Sequence, residues 1–297
     1  MQPRTLRYVL GAAVLTLGLA ACDAASLVTP PNENGTSSGT DPVTSAQEQN
    51  DIATQAGNMT ANDLILMNGN ADAAASASRT SRTAPGLSLS VVGGVLGTWT
   101  FPGTCSYDST TFLHSCTDTL TAGLVLDFSH EFFGSDAPRA TFDSASTDSI
   151  QFQGHLAGTV SSAPWSATVN LRRALTVAKD PAWNQQRIWN GTGSDTSTVQ
   201  FSDSTLSRTY ALAAASTYSN VVFAVPHTEN PWPMSGSVTF TFNGTRTREG
   251  NTTVSKTVSY AATLTFNGRS IVPLDIGDTG HFCVDLARRT LVDVSCR

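Results

Sequence analysis

Residues 252–266 read TTVSKTVSYAATLTF, and the fold class follows from this stretch. Val254, Val258, Tyr260, Ala262, Leu264 and Phe266 fall on one side of a strand, with Lys256 as the exception. Thr253, Ser255, Thr257, Ser259, Ala261, Thr263 and Thr265 fall on the other. Strand side chains alternate between faces, so one apolar and one hydroxyl face describe a sheet that is packed on one side and wet on the other. That is the antiparallel habit. At roughly 3.3 Å per residue such a strand reaches about 45–50 Å, which is long for a globular domain and predicts a bend or bulge.

Turn chemistry extends the reading outward. Asn267-Gly268 suits a type I′ hairpin, with Phe266 opposite Arg269 and Leu264 opposite Ile271. Asn243-Gly244 and Asn190-Gly191 are expected to turn in the same way, and Thr-Phe-Asn-Gly occurs at both 241–244 and 265–268. Alternating segments recur at 87–92, 124–133, 150–156, 165–171 and 221–225, and around Cys283 and Cys296, giving about a dozen or more strands. The expected fold is mainly β, an antiparallel multi-stranded sheet closed or stacked as a curved half-barrel, barrel or sandwich, with a short N-terminal helix. The long strand and the helix favour a curved sheet with the helix packed in its mouth.

Ser45-Ala46-Gln47-Glu48 has capping-box form, and Ile52, Ala56 and Met59 follow at helical spacing. A helix is expected over 46–57, with residues 60–67 continuing it or starting again after Gly57. The Ala/Ser-rich stretch 70–85 reads as a linker. Residues 23–45, rich in Pro, Asn, Gly, Ser and Thr, read as a flexible tether. The domain division is thus 1–21, 22–45, 46–86 and 87–297.

At the N-terminus, Arg4 and Arg7 precede an apolar run from Tyr8 to about Ala21, and Leu19-Ala20-Ala21-Cys22 closes it. The run is about 14 residues, whereas a transmembrane helix takes roughly 20, so it reads as a cleaved signal. Leu19-Ala20-Ala21-Cys22 resembles the lipobox of a bacterial lipoprotein. The resemblance covers the first 23 residues. It implies cleavage before Cys22, acylation of that cysteine and a lipid anchor in the cell envelope, on a leaflet that Asp23 alone does not fix. Two or three acyl chains would hold the protein stably, at roughly 0.8 kcal/mol per buried methylene.

Removing residues 1–21 leaves 276 residues, enough for one large or two small β domains. Charged residues make up 13% of the chain and the formal net charge is −6, which offers nucleic acid no basic patch. Cys105, Cys116, Cys283 and Cys296 form an even set in an exported chain, the composition of disulfides. Four cysteines allow three connectivities, and spacing favours Cys105 with Cys116 and Cys283 with Cys296. No Cys-x-x-Cys supports zinc.

Few residues point to chemistry, and neither a catalytic set nor a cofactor is assigned. His130-Glu131 lacks the second histidine of His-Glu-x-x-His and lies in a strand pattern, where a hydrogen-bonded histidine at a core edge is expected. Asp275-Ile276-Gly277-Asp278-Thr279-Gly280-His281 could offer calcium oxygen ligands, but it lacks the acidic ladder and distal Glu of an EF-hand, and Asp and Gly are what a tight turn requires, so a turn is expected and no metal is assigned. Trp183, Trp189 and Trp232 sit in polar or Pro-rich surroundings, where an indole either contacts a ligand or partner or caps the core. The expected role is non-catalytic binding or structural service at the envelope. A carrier of hydrophobic ligands in the curved sheet and a secreted hydrolase are the alternatives.

Overall fold

Ser45 opens a helix that runs further than its sequence suggests. The structure is a computed structural model and describes residues 45–77, 87–91, 94–99, 104–120, 124–135, 137–162, 165–202, 207–225, 230–249, 253–278, 280–292 and 296. The signal, Cys22 and the tether lie outside the described residues. Helix α1 spans Ser45–Ala77, 33 residues without a break at Gly57. The stretch 70–77, read as linker, is helical because Asn-Ala-Asp-Ala-Ala-Ala-Ser-Ala is dominated by the strongest helix former. Thr54 and Thr60 donate their hydroxyls to the carbonyls of Asn50 and Ala56 (2.8 and 2.9 Å), one turn back in the same helix.

The remainder is strand. β1 (Leu87–Val91) and β2 (Gly94–Trp99) form a separate hairpin. β3 (Thr104–Asp108), β4 (Leu113–Leu120), β5 (Leu124–Gly134), β6 (Ala137–Arg139), β7 (Ser149–Ser162), β8 (Trp165–Lys179) and β9 (Gln186–Ser202) begin the main sheet. β10 (Ser207–Ala224), β11 (Ser235–Glu249), β12 (Val254–Thr265), β13 (Ile271–Ile276), β14 (Gly280–Asp285) and β15 (Thr290–Val292) complete it. All thirteen pair antiparallel, and the order along the sheet follows the chain from β3 to β15, with only β6 set aside as a flap on β5. The described strands leave β3 and β15 as open edges, so the sheet is not a closed barrel.

Two of the expected Asn-Gly turns are interior to strands. Asn190-Gly191 lies within β9 and Asn243-Gly244 within β11; the latter is paired on each side, while Asn190 pairs with Thr176 of β8 and sits at a register shift on the β10 side. Here glycine serves close approach rather than turning. A Cβ on Gly244 would come within 2.0 Å of the Ala211 carbonyl oxygen, and one on Gly191 within 2.2 Å of that of Ala174. Asn267-Gly268 does follow β12, but Leu264 pairs with Leu274 instead of Ile271. The connection is longer than a two-residue turn because it leans on the preceding loop: Gly268 N–H donates to the Pro233 carbonyl (2.8 Å) and Asn230 donates to the Gly268 carbonyl (3.2 Å). β12 itself is 12 residues, and the longest strands are β10 and β9, with 18 and 17.

The alternation read from residues 252–266 holds. Val258, Ala262, Leu264 and Phe266 are buried, while Ser255, Thr257, Ser259, Ala261 and Thr265 are exposed. Lys256, the exception on the inner side, extends its ammonium to within 3.6 Å of the buried carboxylate of Glu48. Helix α1 lies on the inner face and is buried around nearly its whole circumference between residues 48 and 64. Gln55 donates to Ser197 of β9 (2.9 Å), while Gly57 packs against Val284 of β14. Residues two apart on a helix point roughly 200° from one another, so the sheet curls round α1 and touches it from both sides. The apolar core is continuous from the helix (Ile52, Ala53, Ala56, Leu64, Met67) to Phe132, Trp189, Phe223, Phe240, Phe242 and Leu274 of the sheet. Cys283 and Cys296 form a disulfide that ties the C-terminal end to β14. Cys116 is disulfide-bonded and lies directly across from Cys105, whose side chain is outside the described residues.

Candidate functional site

The inner face joins helix to sheet through polar groups, an unusual filling for a core. Glu48 faces Arg246 (3.1 Å) and accepts from the Tyr260 hydroxyl (2.7 Å). Asp51 accepts from Arg208 Nε (2.8 Å) and from the Tyr210 hydroxyl (2.8 Å). Asp63 accepts from Arg173 Nε (2.8 Å) and from Tyr218, and Arg173 also donates to Asp195 of β9 (Nη2 to Oδ2, 3.0 Å). Each of these three carboxylates thus meets one arginine and one tyrosine of the sheet. Burial, with the neighbouring carboxylates adding to it, pushes the phenols of Tyr210, Tyr218 and Tyr260 well above their usual range, so all three stay neutral donors. Burial alone would depress the Arg173 guanidinium, but the carboxylates of Asp63 and Asp195 hold it charged. Gly193 leaves the room for it: a Cβ there would lie 2.8 Å from Arg173 Nη1 and 2.4 Å from the Ser216 hydroxyl.

The outward face is different in kind. Thr192, Thr217, Thr239 and Thr263 stand in register on four consecutive strands, and hydroxyl or small residues fill most neighbouring positions. A transmembrane barrel presents its apolar side chains outward, so this is the reverse pattern. No described helix is long and apolar enough to cross a membrane. An open furrow of about 490 Å3 crosses β4, β5, β7, β8 and β9. Its floor is the backbone at Cys116, Phe128, Gly154, Arg173 and Gly193; the side chains of Cys116, Phe128 and Arg173 are buried on the inner face. Along one bank the polar groups are already linked. Thr117 donates to Asp127 (2.9 Å), His155 Nδ1 lies 3.6 Å from Asp127, and His155 Nε2 lies 3.0 Å from the Asn170 amide oxygen. Arg172, next along that bank, is exposed. A second cavity of about 380 Å3 runs parallel to it near Asn170, Thr196, Ala213 and Asn243. This bank offers a carboxylate, an imidazole, an amide and a guanidinium in one line, a set suited to hydrogen-bonding a polar surface.

The residues singled out from sequence fall elsewhere. Trp183 and Trp189 are 6% and 1% exposed, so they do not form a stacking platform. Trp183 donates its indole N–H to the Thr147 carbonyl (2.7 Å), and Trp189 stacks on Phe152. Trp232 is partly buried and packs on the core. Trp183 and Trp189 are thus core residues, and Trp232, on the connection before β11, packs one side on the core and keeps part of its surface exposed. His130 is buried (4% exposed), stacked on His114 and edged by Phe132, and neither ring nitrogen has a hydrogen-bond partner among the described residues. It is therefore not the hydrogen-bonded histidine expected at a core edge. Asp275 and His281 face each other across β13 and β14 (2.6 Å), both well exposed, and so form a surface pair instead of a loop of ligands. Among the described residues no three His, Cys, Asp or Glu side chains are grouped to hold a metal.

Sequence reading missed both the furrow and the helix contacts. Asp127, His155 and Arg172 are far apart along the chain, and only the register of β5, β7 and β8 brings them together. One signal for the helix contacts existed: Arg173, Arg208 and Arg246 interrupt the inner, apolar phase of their strands. No family model matches the chain, and neither the curated proteins nor the solved structures include a significant match.

Proposed function

We propose that this chain is a bacterial envelope lipoprotein, acylated at Cys22, that acts as a non-catalytic binding module for a polar ligand or partner through its outward furrow. The observation that carries this reading is the division of the two faces. The protein's own helix occupies the inner face, and the furrow presents linked polar groups to solvent. A carrier of hydrophobic ligands would need that inner space, and α1 fills it between β9 and β14. The positions that the sequence offered a hydrolase lie outside that furrow. His130 is sealed in aromatic rings, and the Asp275–His281 pair stands alone on the surface.

Two measurements on the full chain made in its native host test this. Mass spectrometry of the membrane-extracted protein should find an acylated Cys22 as the first residue; an unmodified terminus elsewhere removes the anchor. A photo-crosslinking side chain at Gln153 or Ser194 should give a discrete adduct that His155→Ala with Arg172→Glu weakens. Adducts that ignore those changes, or form equally from a site outside the furrow such as Thr290, reject the furrow as the binding surface.

A further inference from the structure

Along α1 the balance of charge is uneven. Glu48 and Asp51 face Arg246, Arg208 and Lys256, so cations outnumber carboxylates there. At Asp63 the ratio reverses, because the single guanidinium of Arg173 serves both Asp63 and Asp195. A buried site with two carboxylates and one cation carries an uncompensated negative charge, and taking up a proton relieves it.

We propose that the Asp63–Arg173–Asp195 cluster is an acid-tightened latch: a proton taken up by the cluster fixes helix α1 more firmly to β8 and β9, and its loss loosens that docking. The groups facing the cluster are Arg173 from β8, Asp63 from α1, and Tyr218 and Ser216 from β10. Tyr218 already donates its hydrogen to Asp63 and burial keeps it neutral, so it neither supplies nor accepts the proton. Asp195 takes it, from water, onto its carboxylate. Burial pushes that carboxyl up to about 6 against the opposing pull of Arg173, with Asp63 adding to the rise.

The sign follows from linkage. The folded value lies above the ordinary 3.8, so the docked state binds the extra proton between those two values. The contribution is greatest at the acid end and is lost as pH rises through about 6. The latch does not depend on the binding reading, although Arg172 and Ser194, the chain neighbours of its residues, line the furrow on the opposite side of the same strands.

Hydrogen exchange of the α1 amides in the full-length protein, corrected for intrinsic rates, reads this directly. Between about pH 7.5 and about pH 5, protection over residues 53–64 should rise about tenfold relative to Asp195→Asn, which should lack this rise. Protonation of His130 opposes the effect, but it does so equally in both proteins. An Asp195→Asn chain with the wild-type pH dependence would overturn the proposal. Should that variant fail to fold, carboxyl carbon shifts of the wild type decide: an Asp195 midpoint near 6 sustains the latch, and one below about 4.5 ends it.

Discussion

Gly57 of the helix lies so close to Val284 of β14 that a Cβ at position 57 would stand 2.7 Å from the valine Cγ1. The contact fixes how tightly the end of the sheet closes on α1. Glycine inside a helix costs about 1 kcal/mol relative to alanine, and the position retains it because the approach leaves no room for a methyl group.

Gly57→Ala should therefore destabilise despite its better helix propensity. Overpacking costs about 1–3 kcal/mol against roughly 1 kcal/mol gained, so a net loss near 1 kcal/mol is expected in urea unfolding. Val284→Ala in the same chain should remove the clash, and a double-mutant cycle with no coupling would show that the contact is not the cause.

The glycines inside β9 and β11 should be less tolerant. Gly191 has φ +150° and backbone atoms of Ala174 and Leu175 where a Cβ would go; Gly244 faces the Ala211 carbonyl oxygen. Backbone cannot rotate aside as a side chain can, so Gly191→Ala and Gly244→Ala should each cost about 3 kcal/mol or more and lower expression of folded protein. Gly154, whose Cβ would meet nothing within 4 Å, serves as the control and should accept alanine with little change.

Arg246 is fully buried against Glu48. Arg246→Met should cost about 3–5 kcal/mol, because it strips a buried carboxylate of its main cation. Adding Glu48→Gln should restore much of that loss, whereas Tyr260→Phe, which removes a single hydrogen bond to the same carboxylate, should cost about 1 kcal/mol. A double variant no more stable than Arg246→Met would mean that the arginine acts through packing instead.

His130 gives the fold an acid limit. Burial first, and His114 second, lower its imidazole to about 3 from the ordinary 6.5. A depressed histidine is neutral in the fold and charged when unfolded, so its contribution is complete above about pH 6.5 and drains away as pH falls towards 3. The full range amounts to about 5 kcal/mol in order of magnitude. Stability measured from neutral to mildly acid pH should fall less steeply in His130→Phe than in the wild type.

The sheet was legible in sequence wherever one face is buried and one wet. Residues 252–266 alternate as expected, because burial on one side imposes a period of two. The Asn-Gly pairs misled because glycine serves two ends. At 191 and 244 it permits strands to crowd, while at 268 it turns the chain with φ +78°. The helix was underestimated because the sheet touches it from both sides between residues 48 and 64, which leaves no polar stripe there to reveal its period. The furrow was invisible for another reason: its residues are neighbours only through register, which pairs Asp127 with His155 and His155 with Arg172.

Strand order that follows chain order has a kinetic meaning. Each strand from β4 onward finds its partner already made, so the sheet can grow at one edge as the chain is synthesised, with small loops to close. The helix is the exception. Its Asn62 waits for Arg289, 227 residues later, and its Gly57 for Val284. Helix α1 comes first and acts as a mandrel, and the last hairpin, β14 with β15, is the clasp that shuts over it. A chain cut short before β13 would keep most of its strands paired and still expose the flank of the helix that those final residues cover.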